Sequence, residues 1–262
     1  LESMAGILSY LQASNADYFA VSDCDVLCGV DLSDVLEYHI AHDAGITLIC
    51  TDTGHGKVMV TPDENGRLQE ATRGGEGAWM FTNMYIINRQ LLIQLVTEAA
   101  SLNQYSFVDT CLIQKGRELP IYCYRYDGFC RAANSMQAYF DISMCLLNPA
   151  VRNSLFPMDR PVYTRVQDEV PVKYGLSAMV SNSLVADGCI IEGRVENCIV
   201  FRGGRIGHGA VVKNSIIMQG CSIGNGADLD YCICDKGVLV ADNRRLAGYA
   251  SYPLYLPRDI RV

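Results

Sequence analysis

The stretch Ile206-Gly207-His208-Gly209-Ala210 recurs 17 residues later as Ile223-Gly224-Asn225-Gly226-Ala227. Three further sets of positions keep the same period: Val195, Val212 and Leu229; Ile199, Ile216 and Ile233; and Gly203, Gly220 and Gly237. Within one repeat, aliphatic residues also recur every six positions, at 217, 223 and 229. A period built from three short steps indicates a solenoid whose coils each turn three corners.

This repeat predicts a left-handed parallel β-helix of hexapeptide repeats over residues 175–262. Each short strand should direct one aliphatic side chain into a triangular prism, so that Val195, Val212 and Leu229 stack in one buried column. Glycines and other small residues should turn the corners. An ordinary β-sandwich is the alternative, but a sandwich does not require one fixed period at several positions.

Residues 1–148 follow a different pattern, in which helical and extended segments alternate. A buried strand predicted over 17–21 ends in a polar cluster, and a helix capped by Asp31 leads to a second buried strand over 46–50. The apolar positions of this helix are Leu32, Val35, Leu36 and Ile40. Strand, helix and strand at this spacing predict a Rossmann-like α/β sheet. Residues 149–174 contain four of the eight prolines and are predicted to be a linker.

Composition excludes several classes of protein. The net charge of −8 argues against a general nucleic-acid surface. No apolar run reaches the ~20 residues of a membrane helix, so we expect no membrane span and a cytoplasmic location. The twelve cysteines are scattered without zinc spacing, which favours reduced thiols used as small apolar residues over disulfides or metal ligands. The chain opens with Leu1-Glu2, from which we expect that the natural N-terminus precedes it.

Several stretches resemble the ADP-glucose pyrophosphorylase (glucose-1-phosphate adenylyltransferase) family over nearly the whole chain. Ser-Asp-Cys-Asp-Val-Leu-Cys-Gly-Val-Asp at 22–31 resembles its Gly-Asp-His segment, and Asp-Gly-Phe-Cys-Arg-Ala-Ala-Asn-Ser at 127–135 resembles its Gly-Tyr-Trp-Arg-Asp-Val-Gly-Thr segment. The residues at 161–164 resemble the entry into the family's prism, and those at 182–189 and 195–198 resemble its first coils. The resemblance implies a partial nucleotidyltransferase-like domain followed by the β-helix.

The resemblance also implies a reaction and a metal site. The family joins glucose 1-phosphate and ATP into ADP-glucose and pyrophosphate, with Mg²⁺ held by one aspartate from each of the two motifs. Asp25 falls on the first of these positions, whereas Ala132 replaces the second and cannot bind a cation. Arg131 matches a family arginine that could contact phosphate, although a structural salt bridge or hydrogen bond is an equal alternative. No Glu-Lys-Pro segment occurs in the sequence, and no glycine-rich nucleotide loop precedes Asp25.

These losses resemble the D-type regulatory subunit of bacterial glycogen biosynthesis. The resemblance implies a homologous catalytic subunit in a heterotetramer, or a homo-oligomer, together with a phosphorylated small-molecule effector. A catalytically active sugar-phosphate nucleotidyltransferase is the alternative function, and a hexapeptide acyltransferase is a weaker one.

Other polar residues have both structural and functional interpretations. Asp25 could cap the following helix instead of binding metal, and Asp23 is expected to be a solvated neighbour. His208 could act as the base of an acyltransferase, but a prism corner favours a surface histidine. His39 and His42 have a spacing that could bind metal, although a helix surface is the expected place for both. Basic positions that could meet a phosphorylated effector, or remain solvated, are Lys173, Arg202, Arg205, Lys213, Arg244 and Arg245.

Overall fold

The computed structural model describes residues 1–52, 57–74, 77–164 and 168–262. The chain divides into two compact units, Leu1–Ala132 and Ala133–Val262. The sequence-based interpretation places the end of the first domain at 148 and a linker over 149–174. In the structure, the second unit also includes the helices α5 (Met136–Cys145) and α6 (Pro149–Leu155).

The first unit contains a mixed sheet with strand order β5-β4-β6-β3-β7. A further strand, β1, pairs with β6. The strands are β1 (Tyr18–Ser22), β3 (Ile46–Thr51), β4 (Val58–Pro62), β5 (Leu68–Arg73), β6 (Trp79–Asn88) and β7 (Ile121–Arg125). A separate two-stranded sheet joins β2 (Val26–Cys28) to β8 (Cys130–Ala132). The helical segments of this unit are α1 (Glu2–Ala5), α2 (Leu8–Ala13), α3 (Leu32–Ala41), α4 (Arg89–Leu102) and a π-helical segment over Val108–Gln114.

The predicted strand-helix-strand unit is present in a split form. Strands β1 and β3 are both antiparallel to β6, so they run in the same direction with β6 between them. Strand β6 pairs with β4 through Trp79 and Met80 and with β1 from Met84 onward. Asn83 separates these two halves with a left-handed φ of 60°. The dipeptide Asn65-Gly66 is typical of a hairpin turn, and the strands on either side of it, β4 and β5, pair antiparallel.

Helix α3 begins where the sequence predicts, since the Asp31 side chain accepts a hydrogen bond from Ser33 N–H at 2.8 Å. Its buried face differs from the predicted one. Leu32 and Ile40 are exposed, whereas Val35 and His39, which are four residues apart, are buried. Placing His39 on the helix surface was therefore wrong.

His39 is buried because its two ring nitrogens find polar partners inside the unit. Nδ1 lies 2.8 Å from Thr47 Oγ1, and Nε2 lies 2.7 Å from Asn88 Oδ1. Sequence periodicity gives no information about such partners, because Thr47 and Asn88 belong to different strands. His42 instead packs its ring against Tyr38 and Tyr122 at centroid distances of 4.0 and 5.1 Å.

The burial of His39 should make stability depend on pH. Burial lowers the pKa of His39, opposed by the hydrogen bond to Asn88. In the unfolded chain, where a histidine has its ordinary pKa near 6.5, His39 therefore binds a proton more readily than it does in the folded chain. The free energy of unfolding should therefore be highest above pH 6.5. It should decrease as the pH falls below this value, by up to about 1.4 kcal/mol per pH unit. Urea unfolding between pH 7.5 and 5.5 measures this slope.

Two glutamine variants separate His39 from other titrating groups. His39→Gln should reduce the slope, and His208→Gln provides the same substitution at an exposed histidine of the second unit as a control. Equal slopes in wild type and His39→Gln would contradict the assignment.

The second unit contains the predicted prism, formed by three parallel sheets of five short strands each. The first face contains β9 (Lys173–Tyr174), β12 (Ile190–Ile191), β15 (Arg205–Ile206), β18 (Ser222–Ile223) and β21 (Leu239–Val240). The second contains β10 (Met179–Ser181), β13 (Arg194–Glu196), β16 (Val211–Lys213), β19 (Asp228–Asp230) and β22 (Arg245–Ala247). The third contains β11 (Leu184–Val185), β14 (Ile199–Val200), β17 (Ile216–Ile217), β20 (Cys232–Cys234) and β23 (Leu254–Leu256).

The predicted column is confirmed, because Val195, Val212 and Leu229 pair in register and are fully buried. A second set of residues with the same period has a different location. Ile216 and Ile233 cluster with Phe140 of α5, apart from the prism interior, whereas the neighbouring Ile217 belongs to the interior. Helix α5, whose N-terminus is capped by the Ser135 side chain, therefore covers an outer face of the prism.

Two of the corners use left-handed backbone in different ways. Gly203, Gly220 and Gly237 have φ values of 69°, 68° and 71°, as their shared period indicates. Asn182, Asn197 and Asn214 have φ values of 41°, 52° and 43°. Their side chains form a ladder in which Asn182 Nδ2 donates to Asn197 Oδ1 at 2.7 Å and Asn197 Nδ2 donates to Asn214 Oδ1 at 3.2 Å. Asparagine tolerates this conformation better than other side chains do.

None of the helices described in the structure is long and apolar enough to span a membrane.

Candidate functional site

The two family-like motifs of the first half meet at the two-stranded sheet. Strand β2 is antiparallel to β8, with Val26 opposite Ala132, Leu27 opposite Arg131 and Cys28 opposite Cys130. Because Asp25 immediately precedes Val26, its position lies beside Ala132 at one end of this pair of strands. The structure therefore brings together the two positions of the family's metal-binding aspartates, which are 107 residues apart in the chain.

The residues at these positions do not fit a two-carboxylate magnesium site. Asp25 is half-buried and offers one carboxylate, whereas Ala132 places a methyl group where a second ligand is needed. Mg²⁺ prefers oxygen ligands in octahedral geometry, which a methyl group cannot supply. Asp23 is exposed, and its backbone N–H donates to Asn83 O at 3.3 Å.

Arg131 makes local contacts. Its Nη1 donates to Cys130 O at 3.1 Å, and its guanidinium carbon lies 5.8 Å from the centre of the Phe129 ring. These contacts match the structural alternative, and a contact with phosphate stays a prediction. The side chain is exposed, so the charge remains accessible to solvent.

Sequence reasoning missed an ion-pair cluster at the end of β7. Arg125 Nη2 lies 2.6 Å from Asp52 Oδ2, and Arg125 Nε lies 2.8 Å from Asp127 Oδ1. All three side chains are well exposed, so each pair contributes little to stability. The sequence contains no signal for the pairing with Asp52, which lies 73 residues away.

An aromatic cleft of about 1060 Å³ in the first unit was also missed. Tyr122 and Tyr124 line it from β7, where their spacing of two places both on one face of the strand. Tyr38 lies across from Tyr124 at a ring distance of 5.4 Å and donates a hydrogen bond to Cys123 O at 3.2 Å. Burial raises the pKa of Tyr38 to about 12, so the phenol stays protonated and remains a donor.

The remaining candidate residues lie in the second unit. His208 is exposed at a corner, and its backbone N–H donates to Asn225 Oδ1 at 2.9 Å. Arg245 Nε lies 3.6 Å from Asp228 Oδ2. Exposed basic side chains of the prism include Lys173, Arg205, Arg244 and Arg245, whereas Arg202 and Lys213 are half-buried. Their contact with a phosphorylated effector stays a prediction.

The fold and the motif geometry together define a class of protein: a nucleotidyltransferase-like α/β unit followed by a hexapeptide β-solenoid. The family of GlmU-like C-terminal hexapeptide domains matches residues 169–249. The glycogen biosynthesis protein GlgD of Bacillus subtilis (strain 168) is 32% identical over 253 residues, which cover 97% of this chain and 66% of that protein.

Two relatives from Geobacillus stearothermophilus extend the comparison. Its glycogen biosynthesis protein GlgD is 35% identical over 205 residues, covering 78% of this chain and 52% of that protein. Its glucose-1-phosphate adenylyltransferase is 29% identical over 218 residues, covering 79% of this chain and 56% of that protein. The chain thus spans between about half and two thirds of the length of these relatives. It belongs to the ADP-glucose pyrophosphorylase family and is similar to GlgD-type members of that family.

Proposed function

We propose that this chain belongs to a regulatory, non-catalytic subunit of an ADP-glucose pyrophosphorylase in glycogen biosynthesis. In the proposed holoenzyme, a homologous catalytic subunit forms ADP-glucose and pyrophosphate from glucose 1-phosphate and ATP. The observation that carries the proposal is the pairing of Val26 with Ala132, which leaves Asp25 beside a methyl group. Nucleotidyl transfer depends on neutralising phosphate charge, and this site has lost a carboxylate that would hold the neutralising cation.

The prism supports an assembly role. Strands β9, β10 and β11 each stand at the end of their sheet, so one backbone edge of each lacks a neighbouring strand among the described residues. Leu176 and Met179 on this first coil are exposed, Leu176 completely. Unpaired strand edges with apolar side chains are natural surfaces for another chain. We therefore place the docking of the catalytic homologue at this end of the prism.

Co-expression with the homologous catalytic subunit of the same organism tests the proposal. The two proteins should co-purify as a mixed oligomer, and the presence of this subunit should change the partner's turnover or effector response. A regulatory coupling typically amounts to about 5- to 150-fold in affinity. Light scattering gives the mass of the complex, and steady-state kinetics with and without this subunit give the coupling.

A pair of glutamate variants locates the contact. Met179→Glu should weaken assembly because it places a charge on the open strand edge, whereas Met158→Glu, at a fully exposed position of the segment before the prism, should not. Failure of the wild-type proteins to co-purify would remove the regulatory proposal. Co-purification with unchanged kinetics would leave only a scaffold.

A further inference from the structure

Cys28 and Cys130 face each other across the two-stranded sheet formed by β2 and β8. Gly29 N–H donates to Phe129 O at 3.2 Å, so the neighbouring pair 29/129 is the hydrogen-bonded one. Pairs alternate along an antiparallel ladder, which makes Cys28/Cys130 a non-hydrogen-bonded pair. In such pairs the Cα atoms are about 4.5 Å apart, within the range of about 4.4–6.8 Å that a disulfide spans.

The two thiols are already in contact and differ in access to solvent. The hydrogen bond from the Cys130 thiol holds the pKa of Cys28 below its ordinary value, whereas the same bond and burial raise the pKa of Cys130. Cys28 is half-buried, and Cys130 is only 3% exposed. An attacking thiol must reach its reagent as a thiolate, and a resolving thiol needs only to lie beside it. Cys28 has the first property and Cys130 the second.

We propose that Cys28 and Cys130 form a reversible disulfide by exchange with low-molecular-weight disulfides. The Cys28 thiolate attacks one sulfur of the reagent, forming a mixed disulfide and releasing one thiol. The Cys130 sulfur, losing its proton to solvent, then attacks the Cys28 sulfur and releases the second thiol. Two protein thiols are oxidised to one disulfide, and one reagent disulfide is reduced to two thiols.

The structure supplies an internal comparison. Cys50 and Cys123 are also neighbours, on the adjacent strands β3 and β7, but they are 0% and 2% exposed. Burial raises the pKa of Cys50 well above its ordinary value. A reagent cannot reach this second pair without unfolding the sheet. Two neighbouring thiols are therefore not reactive unless a reagent can reach one of them. Cys28 meets this condition, whereas Cys50 and Cys123 do not.

A disulfide at this place would hold together a weak part of the first unit. Among the residues that the structure describes, strands β2 and β8 form a sheet of only two strands, which is marginal without additional support. The bond would close a loop of about 100 residues and thereby restrict the unfolded chain. It would also join the two strands that position Asp25 and Arg131.

The test treats the protein with excess oxidised glutathione. Cys24 and Cys145 are exposed, so they are first replaced in a Cys24→Ser/Cys145→Ser parent that retains the pair. Peptide mapping after alkylation should show one 28–130 disulfide, no retained glutathione and intact thiols at 50 and 123. The melting temperature should rise by about 5–10 °C and return after reduction with dithiothreitol.

Two single variants of this parent distinguish the steps. Cys130→Ser should trap glutathione on Cys28, because the resolving thiol is gone, and Cys28→Ser should leave Cys130 unmodified. Glutathione retained on Cys28 in the parent, loss of the Cys50 and Cys123 thiols at the same rate, or no loss of thiols would each overturn the proposal.

Discussion

Replacing Val212 by aspartate should prevent the second unit from folding. Val212 is fully buried and stacks between Val195 and Leu229, so an aspartate there would place an unpaired carboxylate in the centre of the prism. Burying such a group costs several kcal/mol, against a total stability of about 5–15 kcal/mol for a typical domain. Each coil contacts only its neighbours, so loss of a central coil also removes the support of the coils on either side. Circular dichroism and the yield of soluble protein measure the effect.

The neighbouring residue of the same strand provides a matched control. Val211 is half-exposed and belongs to the same short strand, so Val211→Asp adds the same charge through the same substitution but leaves it near water. We expect this variant to remain folded. A soluble, fully folded Val212→Asp variant would contradict the assignment of the buried column.

Ile216→Asp should also be destabilising, but for a different reason. Ile216 is fully buried against Phe140 of α5 and lies outside the prism interior. The substituted carboxylate would face the helix, so α5 should detach before the coils lose their packing. Protease cleavage within 136–145 at a denaturant concentration that leaves the prism intact would show this order.

The second large effect concerns catalysis. The protein, expressed from its complete gene and assayed alone, should make ADP-glucose at a rate at least about 10²–10³-fold below that of a catalytic homologue. Loss of one group that stabilises transition-state charge typically has this effect, and Ala132 removes a ligand for the cation that supplies that charge. Coupled detection of pyrophosphate measures the rate, and robust synthesis by the unmodified protein alone would refute the proposed function.

Restoring the carboxylate tests the same idea without an activity assay. In an Ala132→Asp variant, two carboxylates would flank the end of the β2–β8 pair, since position 132 faces Val26 next to Asp25. The variant should gain weak Mg²⁺ binding, measured by calorimetry. Asn134→Asp adds the same charge at an exposed position outside β8 and should gain none.

The prism was predictable because its sequence pattern repeats at a constant interval. Each coil repeats the same backbone geometry, so the residues that point inward recur at a constant interval, and the shared period of Val195, Val212 and Leu229 is a direct record of their stacking. The helix caps at Asp31 and Ser135 were predictable for a similar reason, since a cap is a contact between residues two or three positions apart.

Errors arose where a residue's surroundings come from distant parts of the chain. The apolar pattern of helix α3 indicated a face that includes Leu32 and Ile40, yet the structure buries His39, because Thr47 and Asn88 supply hydrogen-bond partners that no local pattern reveals. Likewise, Ile216 and Ile233 share the period of the interior column but pack against Phe140 of α5, outside the prism interior.

By itself, the sequence determined the solenoid, the α/β character of the first unit and the absence of a carboxylate at position 132, because each of these depends on a repeating or local pattern or on residue identity. Only the tertiary structure decided which residues meet across long separations: Asp25 with Ala132, Cys28 with Cys130, His39 with Asn88, and Ile216 with Phe140. Such pairs result from how strands and helices pack. That packing depends on burial and hydrogen bonding summed over the whole unit. A short stretch of sequence therefore does not reveal which distant residues will meet.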